Sequence, residues 1–214
     1  MQTIFKRLYY SFFPPAPYPF YLKGRSDVIF IHITKTAGTS VTRTLNCYTV
    51  KESGQPKHRT ALQIIDEIGQ KKYDSAFKCS FIRNPWDRML SYYRFKREVQ
   101  RNLPYLKTEN FNDWILGSVF KEQLLADQYL GRCQVDWLVN AEGKIDTDFI
   151  GRYENLLPDF EELCKQIKVN PKKPLSKIVV SGAPLNYRDI YTHESKAIVD
   201  ELYQRDIEYF GYTF

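Results

Sequence analysis

The chain has 214 residues, enough for one domain with a sizeable core but too few for two ordinary domains. Its 31 lysines and arginines against 25 acidic residues give a net charge of +6, which favours an anionic ligand without choosing among a phosphorylated nucleotide, a nucleic acid and an acidic polysaccharide. The cysteines have no paired spacing and no neighbouring histidines, which argues against a zinc site and predicts separate reduced thiols in a cytosolic protein; they are Cys47, Cys79, Cys133 and Cys164.

The N-terminal segment, residues 1–26, is rich in aromatic side chains and is interrupted by four prolines between residues 14 and 19. No apolar run in it approaches the roughly 20 residues that a membrane helix needs, and the pattern of a signal peptide is missing. We predict an extended arm over residues 1–26 that packs its rings on a single domain, residues 27–214. Covering an acceptor cleft or touching a membrane surface are the alternatives for the arm.

Residues 28–40, VIFIHITKTAGTS, read as an apolar strand that runs through a loop into a helix. A glycine lets the backbone approach an anion, hydroxyl and N–H groups at a helix N-terminus can bind it, and a lysine adds a full charge. A nucleoside triphosphatase loop has its lysine after the second glycine, whereas Lys35 precedes Gly38. The residues predicted to hold this phosphate are Lys35, Thr36, Ala37, Gly38, Thr39 and Ser40.

A second segment, residues 81–95, FIRNPWDRMLSYYRF, reads as a strand end, a turn and a helix. Asn84 is a good N-cap, Pro85 suits the first helical position, and Asp87 has the spacing of a capping-box acid. The face predicted to pack on the sheet carries Trp86, Leu90 and Tyr93. Ser91 lies on a different side, so Arg83 and Ser91 are expected to converge on a second anion.

The remaining pattern alternates strands with helices. Apolar runs predict strands at 27–33, 75–82, 135–139 and 147–151. Helices are predicted at 39–46, 60–68, 85–101, 110–117, 119–130, 155–168 and 193–209, with a long loop at 170–187. This order predicts an α/β fold with a mostly parallel central sheet flanked by helices, and it places both anion segments at the carboxyl ends of strands, where ligands bind.

Together the two segments resemble the cofactor motifs of carbohydrate sulfotransferases that use 3′-phosphoadenosine 5′-phosphosulfate (PAPS). The form H-x-x-K-T-A-G-T-S is similar to the family's 5′-phosphosulfate loop. The pattern R-[ND]-P-x-x-R-x-x-S, similar to its 3′-phosphate segment, is met by Arg83, Asn84, Pro85, Arg88 and Ser91. The stretches DFIGRYENLLPDFEELCKQIKV and ELYQRDIEYFGYTF are similar to the later part of small heparan and chondroitin sulfotransferases, so the resemblance covers roughly residues 27–214.

The resemblance implies a P-loop-like nucleotide-binding fold and the donor PAPS, with adenosine 3′,5′-bisphosphate as product and no metal. The acceptor it implies is a hydroxyl group, expected on a polysaccharide, glycolipid or glycoside, with no nucleic acid partner. Golgi members of the family carry a membrane anchor and a stem, neither of which is seen here, so a cytoplasmic enzyme is expected, with a shortened form of a longer protein as the alternative. A family loop near Tyr187 and Arg188 closes over the nucleotide, which makes these two residues candidate cofactor contacts, with a plain surface loop as the alternative.

Sulfuryl transfer needs a base to take the proton of the acceptor hydroxyl and a cation to neutralise the leaving phosphate oxygen. We assign the cation to Lys35. A histidine between Lys57 and Arg59 is usually solvated, but the family has its catalytic histidine in the interval occupied by His58, so His58 is the expected base. His32 is expected in the core and His193 in an exposed cap, and the rival carboxylate bases are Glu52, Asp66 and Asp87.

Two other functions stay open at the level of the sequence. A P-loop kinase would need magnesium and a different lysine and glycine order, and a non-catalytic polyanion-binding module would be suggested by charge alone. Arg152 and Glu154 are expected to pair with each other, with positioning of an acceptor as the alternative. Trp114 and Trp137 are expected in the core, with stacking on a sugar ring as the alternative.

Overall fold

The computed structural model describes residues 18–99, 110–175 and 186–214. Within them a four-stranded sheet has the order β1-β2-β3-β4. The strands are β1 Tyr21–Leu22, β2 Arg25–Ile31, β3 Phe77–Ile82 and β4 Phe149–Arg152. β2, β3 and β4 are parallel, and β1 is antiparallel to β2. The predicted α/β fold with a mostly parallel sheet is confirmed.

Helices surround this sheet. Those of the described residues are α1 Gly38–Thr44, α2 Val50–Ser53, α3 Ala61–Ile68, α4 Gln70–Ser75, α5 Pro85–Val99, α6 Phe111–Leu116, α7 Ser118–Ala126, α8 Val135–Leu138, α9 Leu156–Gln166, α10 His193–Leu202 and α11 Gln204–Phe210. Single 3₁₀ turns lie at Tyr153–Asn155 and Tyr187–Asp189. In the described part of the chain, no helix is long and apolar enough to cross a membrane.

The central strand β2 is buried on both faces. Ile29 and Ile31 lie in the larger apolar cluster, whereas Val28 and Phe30 lie in a second cluster. Because side chains alternate along a strand, a strand covered by helices on both faces is an unbroken apolar run. This is why the sequence predicts β2 clearly. The chain continues from β2 directly into the loop that carries Lys35.

The edge strand β1 lies inside the segment predicted as an arm. Phe20 is buried, its ring stacks on Tyr18 with centroids 4.8 Å apart, and its carbonyl accepts a hydrogen bond from the Phe30 N–H at 2.8 Å. Strand β1, Tyr21–Leu22, therefore extends the sheet, and Phe20 lies in the larger apolar cluster with Tyr18 packed against it. Residues 1–17 lie outside the described residues, and the boundary between arm and domain stays a prediction.

Several predicted elements differ from the structure. The strand predicted at 135–139 is wrong, because the Asp206 carboxylate accepts hydrogen bonds from the N–H groups of Gln134 and Val135 and so caps the short helix α8. The helix predicted at 193–209 is two helices, since the backbone leaves helical geometry at Tyr203. The helix predicted at 119–130 ends at Ala126, and α2, α4 and β1 were not predicted. Residues 100–101 of the helix predicted at 85–101 and residues 176–185 of the loop predicted at 170–187 lie outside the described residues.

Candidate active site

The loop between β2 and α1 has an unusual backbone. Lys35 and Ala37 both have φ of 66°, in the left-handed region that side chains other than glycine rarely adopt. Ala37 is the N-cap of α1 and has no side-chain acceptor for the first turn of the helix. Strained residues and an uncapped helix start are features of anion-binding loops, where backbone N–H groups face the ligand.

Gly38 is required by a close approach between the loop and a histidine ring. A Cβ atom at this position would lie 2.1 Å from Cδ2 and 2.2 Å from Nε2 of His32. The His32 ring is buried, so it has little room to withdraw. Glycine is therefore the residue that lets α1 begin directly against His32.

The hydroxyl residues of the loop have different surroundings. Thr36 is fully buried and its Oγ1 donates to the carbonyl of Ile33 at 3.1 Å, so this hydroxyl braces the loop. Ser40 is buried in the first turn of α1. Thr39 is partly exposed, and its Oγ1 accepts a hydrogen bond from Nζ of Lys57 at 3.3 Å. Their contacts with a phosphate stay a prediction.

Three positive charges, those of Lys35, Lys57 and Arg83, lie close together at this loop. Nζ of Lys35 lies 4.2 Å from the centroid of the Phe95 ring, and burial together with the charges of Arg83 and Lys57 lowers the pKa of Lys35 to about 8. Burial and the charge of Arg43 also lower the pKa of Lys57. Sequence reasoning gave Lys57 no role at the loop; its position directly before His58 was the available signal.

Arg83 joins the second segment to the first. Its Nη1 donates to the carbonyl of Lys35 at 3.2 Å, and its Nε donates to Oδ2 of Asp87 at 2.7 Å. The guanidinium also lies over the Tyr153 ring, 3.8 Å from the centroid. The two segments therefore meet at the carboxyl edge of the parallel strands, where their order along the chain predicted them.

Ser91 lies on the face of α5 that also carries the contacts with Arg83 and Lys35. Asp87, Ser91 and Phe95 are successive i, i+4 positions and so share one helix face. Asp87 contacts Arg83 at one end of this face, and Phe95 contacts Lys35 at the other. The structure therefore places Ser91 between the two cations, while its binding of a phosphate stays a prediction.

The start of α5 has the predicted N-cap, Asn84, but lacks the predicted capping box. Oδ1 of Asn84 accepts from the N–H groups of Trp86 at 3.1 Å and Asp87 at 3.3 Å, which confirms the N-cap. The capping-box role of Asp87 is wrong, because the Asn84 N–H donates to Glu154 and Asp87 instead binds Arg83. A carboxylate from after β4 thus replaces the local one.

Arg88, part of the second motif, is buried and braces the first loop. Its Nε donates to the carbonyl of Thr34 at 3.2 Å and its Nη2 to the Thr34 hydroxyl at 3.3 Å. A third bond runs from Nη1 to the carbonyl of Arg132 at 3.3 Å. Arg88 therefore stabilises the segment between β2 and Lys35.

His58 is oriented by a hydrogen bond. Its Nδ1 lies 2.9 Å from the carbonyl oxygen of His32, and since a carbonyl only accepts, Nδ1 carries the proton and Nε2 keeps a lone pair. Burial lowers the pKa of His58, with a smaller contribution from the charge of Lys57, although the bond to His32 opposes the shift. The ring also packs against Tyr129 and Trp137, with centroids 5.4 and 6.2 Å away. The neutral imidazole form of His58 is thus favoured, with its basic lone pair on Nε2.

The rival bases lie in other surroundings. Glu52 caps α2 through Thr49 and forms a salt bridge with Lys23. Asp66 is exposed on α3, and Asp87 is held by Arg83.

The other two histidines differ from His58. His32 is buried as expected, and burial holds the pKa of its ring well below the ordinary value. The expected capping role of His193 is wrong, because Thr192 is the N-cap of α10 and His193 is its first, exposed residue.

The remaining candidates divide between core and rim. The expected pairing of Arg152 with Glu154 is wrong: Arg152 Nη2 donates to the carbonyl of Phe210 at 2.6 Å, while Glu154 accepts from the N–H of Asn84. Trp114 and Trp137 are buried, which confirms their place in the core.

Tyr187 and Arg188, the candidate nucleotide contacts, lie near the start of α5. Tyr187 is buried, and its hydroxyl accepts from Nδ2 of Asn84 at 3.1 Å. Arg188 is exposed and lies over the Tyr187 ring, 4.7 Å from its centroid. Both lie in a 3₁₀ turn beside the second segment, and their contact with a nucleotide stays a prediction.

Among the residues that the structure describes, the cysteines and the acidic residues form no metal centre. Cys47, Cys79, Cys133 and Cys164 are all buried free thiols. Over residues 18–99, 110–175 and 186–214 no group of three or more His, Cys, Asp and Glu side chains is arranged to hold a metal ion.

Comparisons with known proteins agree with this fold. A family model described as "Sulfotransferase family" matches residues 18–213. Mouse sulfotransferase SULT7A1 in complex with PAP has a similar fold, with a TM-score of 0.53 and 14% identity over 86% of each chain. An uncharacterized protein of Archaeoglobus fulgidus is 29% identical over 130 residues, which are 61% of this chain and 98% of that protein. The likeness to the mouse enzyme supports the fold, and the family match covers nearly all of the described chain.

Proposed function

The chain belongs to the sulfotransferase family, and we propose that it transfers a sulfuryl group from PAPS to a hydroxyl group of a carbohydrate acceptor. The observation that carries the proposal is the meeting of the two anion segments, with Nη1 of Arg83 3.2 Å from the carbonyl of Lys35. A nucleotide with phosphates at both its 3′ and 5′ positions needs two such centres at one edge of the sheet. The PAP in the mouse structure of similar fold supports the same donor.

The residues present fit such a nucleotide. The close approach at Gly38 and the left-handed residues Lys35 and Ala37 suit a 5′-phosphate, held by backbone N–H groups and by Thr39. Arg83 and Ser91 suit a 3′-phosphate. Tyr187 and Arg188 are proposed contacts with the nucleotide beside this second centre. The remaining loop positions, Thr36, Ala37 and Ser40, shape the cradle.

His58 supplies the base in this proposal. Its Nε2 takes the proton of the acceptor hydroxyl while the acceptor oxygen forms its bond to sulfur and the bond from sulfur to the 5′-phosphate oxygen breaks. The proton then passes from the imidazolium to solvent. The bond from Nδ1 to the carbonyl of His32 holds the ring in the required tautomer throughout.

Lys35 neutralises the charge that grows on the leaving phosphate oxygen. Its pKa of about 8 means that it is protonated at neutral pH, and a bound dianion stabilises that form further. Lys57, which contacts Thr39 at 3.3 Å, is a second cation for the same group. A carbohydrate acceptor is proposed from the resemblance, and the partly exposed ring of Tyr129 is an aromatic surface beside the base, with its centroid 5.4 Å from that of His58. A cytoplasmic location stays a prediction.

Calorimetry with adenosine 3′,5′-bisphosphate and with ATP plus magnesium tests the proposal. We expect binding of the bisphosphate in preference to ATP, weakened by Arg83→Ala and by Ser91→Ala. Arg205→Ala is the matched control, because Arg205 pairs with Asp136 on an exposed surface. Preference for ATP with magnesium would support a kinase, and binding of neither nucleotide would support a polyanion-binding module. Release of the bisphosphate from PAPS, measured over a panel of polysaccharide, glycolipid and glycoside acceptors, then identifies the acceptor class.

A further inference from the structure

Gln134 holds the main chain of Arg83. Its Oε1 accepts a hydrogen bond from the Arg83 N–H, and its Nε2 donates to the Arg83 carbonyl, both at 2.8 Å. Arg83 is the first residue after β3, so its main chain has left the regular strand ladder. The side-chain amide of Gln134 satisfies both main-chain groups as a neighbouring strand would. Gln134 is fully buried, so water does not compete for these bonds.

Asp206 fixes the orientation of that amide. Its Oδ2 accepts from the Gln134 N–H at 2.8 Å and from Gln134 Nε2 at 3.3 Å, while its Oδ1 accepts from the Val135 N–H at 2.9 Å. The two hydrogens of Nε2 are therefore shared between Asp206 and the carbonyl of Arg83. A flipped amide would turn Oε1 toward two acceptors, which excludes that orientation. The amide has one position, and Asp206 is buried with it.

The side chain of Arg83 depends on this clamp, because the position of the main chain fixes the Cα–Cβ bond from which the side chain extends. The guanidinium reaches the Lys35 carbonyl, the Asp87 carboxylate and the Tyr153 ring from a main chain that Gln134 holds in place. A displacement of the Arg83 main chain would move the charge away from all three. Recognition of a phosphate by arginine depends on the position of its planar fork, so such a displacement would weaken it.

We propose that Gln134, oriented by Asp206, is a positioning residue that sets Arg83 for the 3′-phosphate and so makes the site selective for 3′-phosphorylated nucleotides. The proposal rests on the proposed function, which assigns that phosphate to Arg83. Gln134 itself touches neither nucleotide nor acceptor in this scheme. Its effect is on the ratio of two affinities, which a general loss of stability does not change.

The test compares two ligands that differ by the 3′-phosphate. Calorimetry gives the Kd of adenosine 3′,5′-bisphosphate and of adenosine 5′-monophosphate for the full chain and for Gln134→Met, which keeps the length of the side chain and removes its polar atoms. We expect the preference for the bisphosphate to fall about tenfold or more, as the loss of a charge-assisted contact implies. The Kd of the monophosphate should change by less than about threefold.

Gln134→Asn is the second variant, since it keeps the amide and withdraws it by one carbon; it decides the question if Gln134→Met does not fold. Tyr73→Phe is the control for stability, because it removes a partly buried hydrogen bond from α4 to the carbonyl of Asp146, a residue to which Gln134 is not hydrogen-bonded. We expect this control to keep the full preference for the bisphosphate while its Tm falls.

Two results would overturn the proposal. An unchanged preference in a folded Gln134 variant, or an equal loss for both ligands, would reduce Gln134 to a structural residue. If the unsubstituted chain itself does not prefer the bisphosphate, the proposed 3′-phosphate site fails, and the inference about Gln134 fails with it. The measurement on the unsubstituted chain therefore separates a failure of the proposed function from a failure of the inference alone.

Discussion

Substitution of Gly38 by alanine tests the geometry of the loop at its tightest point. The added Cβ would lie 2.1 Å from Cδ2 of His32, whereas ordinary contacts begin at 3.4 Å, so the two groups must separate by 3.4 − 2.1 = 1.3 Å. His32 is buried between Phe30 and His58, with ring centroids 5.8 and 4.5 Å away. The separation therefore moves either the start of α1 or the histidine pair.

Both responses damage the site. Forcing an extra methyl group into a packed interior costs about 1–3 kcal/mol, and we expect the free energy of unfolding of Gly38→Ala to fall by this amount. Movement of α1 displaces the 5′-phosphate cradle, so the Kd of adenosine 3′,5′-bisphosphate should rise by roughly 5- to 150-fold if the same cost appears in binding. Movement of His32 also shifts the carbonyl that holds His58, so kcat should fall with it.

Urea unfolding and calorimetry measure the two effects, with Gly54→Ala as the matched control. Gly54 has φ of 66° and no atom within 4 Å of its added Cβ, so alanine there costs stability by backbone strain and leaves the loop alone. The double variant His32→Ala with Gly38→Ala should lose less free energy of unfolding than the sum of the two single losses, because the histidine ring that clashes with the added methyl group is absent. Unchanged nucleotide affinity and kcat in Gly38→Ala would refute the reasoning.

Three further predictions concern the cations and the base. Lys35→Ala should lower kcat by at least about a hundredfold, the scale of one transition-state donor, with a smaller change in bisphosphate affinity; an unchanged kcat would remove Lys35 from the mechanism. The pH profile of kcat/KM should have an acid limb below 6.5, because the pKa of His58 is lowered and its neutral form is the base. It should also have an alkaline limb near 8, where Lys35 loses its charge. The acid limb should disappear in His58→Gln, and its persistence there would point to a carboxylate. Lys57→Ala should lower kcat while the Tm is kept, and Lys71→Ala, at an exposed position of α4, is its control.

The sequence predicted the parts of the site that local chemistry determines. The apolar run of β2, the glycine and lysine of the loop and the Asn-Pro start of α5 each have a local cause, and the structure brings Arg83 to Lys35 as expected. Their common location follows from the rule that parallel strands end at one edge.

Contacts between distant segments were the part that the sequence did not reveal. Asp206 caps helix α8 by accepting from the Val135 N–H, 71 positions earlier in the chain. Glu154 accepts from the Asn84 N–H, 70 positions earlier, although Asp87 was expected to bind that group. The donors of these bonds are main-chain groups, which have no residue type to signal the pairing. Lys57 was missed for a related reason, since its partner Thr39 lies 18 positions earlier.

The face of α5 that carries Asp87, Ser91 and Phe95 also limits how the protein can vary. A helix rises about 1.5 Å per residue and turns about 100°, so the interval between the contacts at Arg83 and Lys35 is set by the number of residues between them. One inserted residue between Asp87 and Phe95 would rotate Phe95 away from Lys35 while Asp87 kept Arg83. The site therefore depends on the length of this stretch as well as on Arg88 and Ser91 within it.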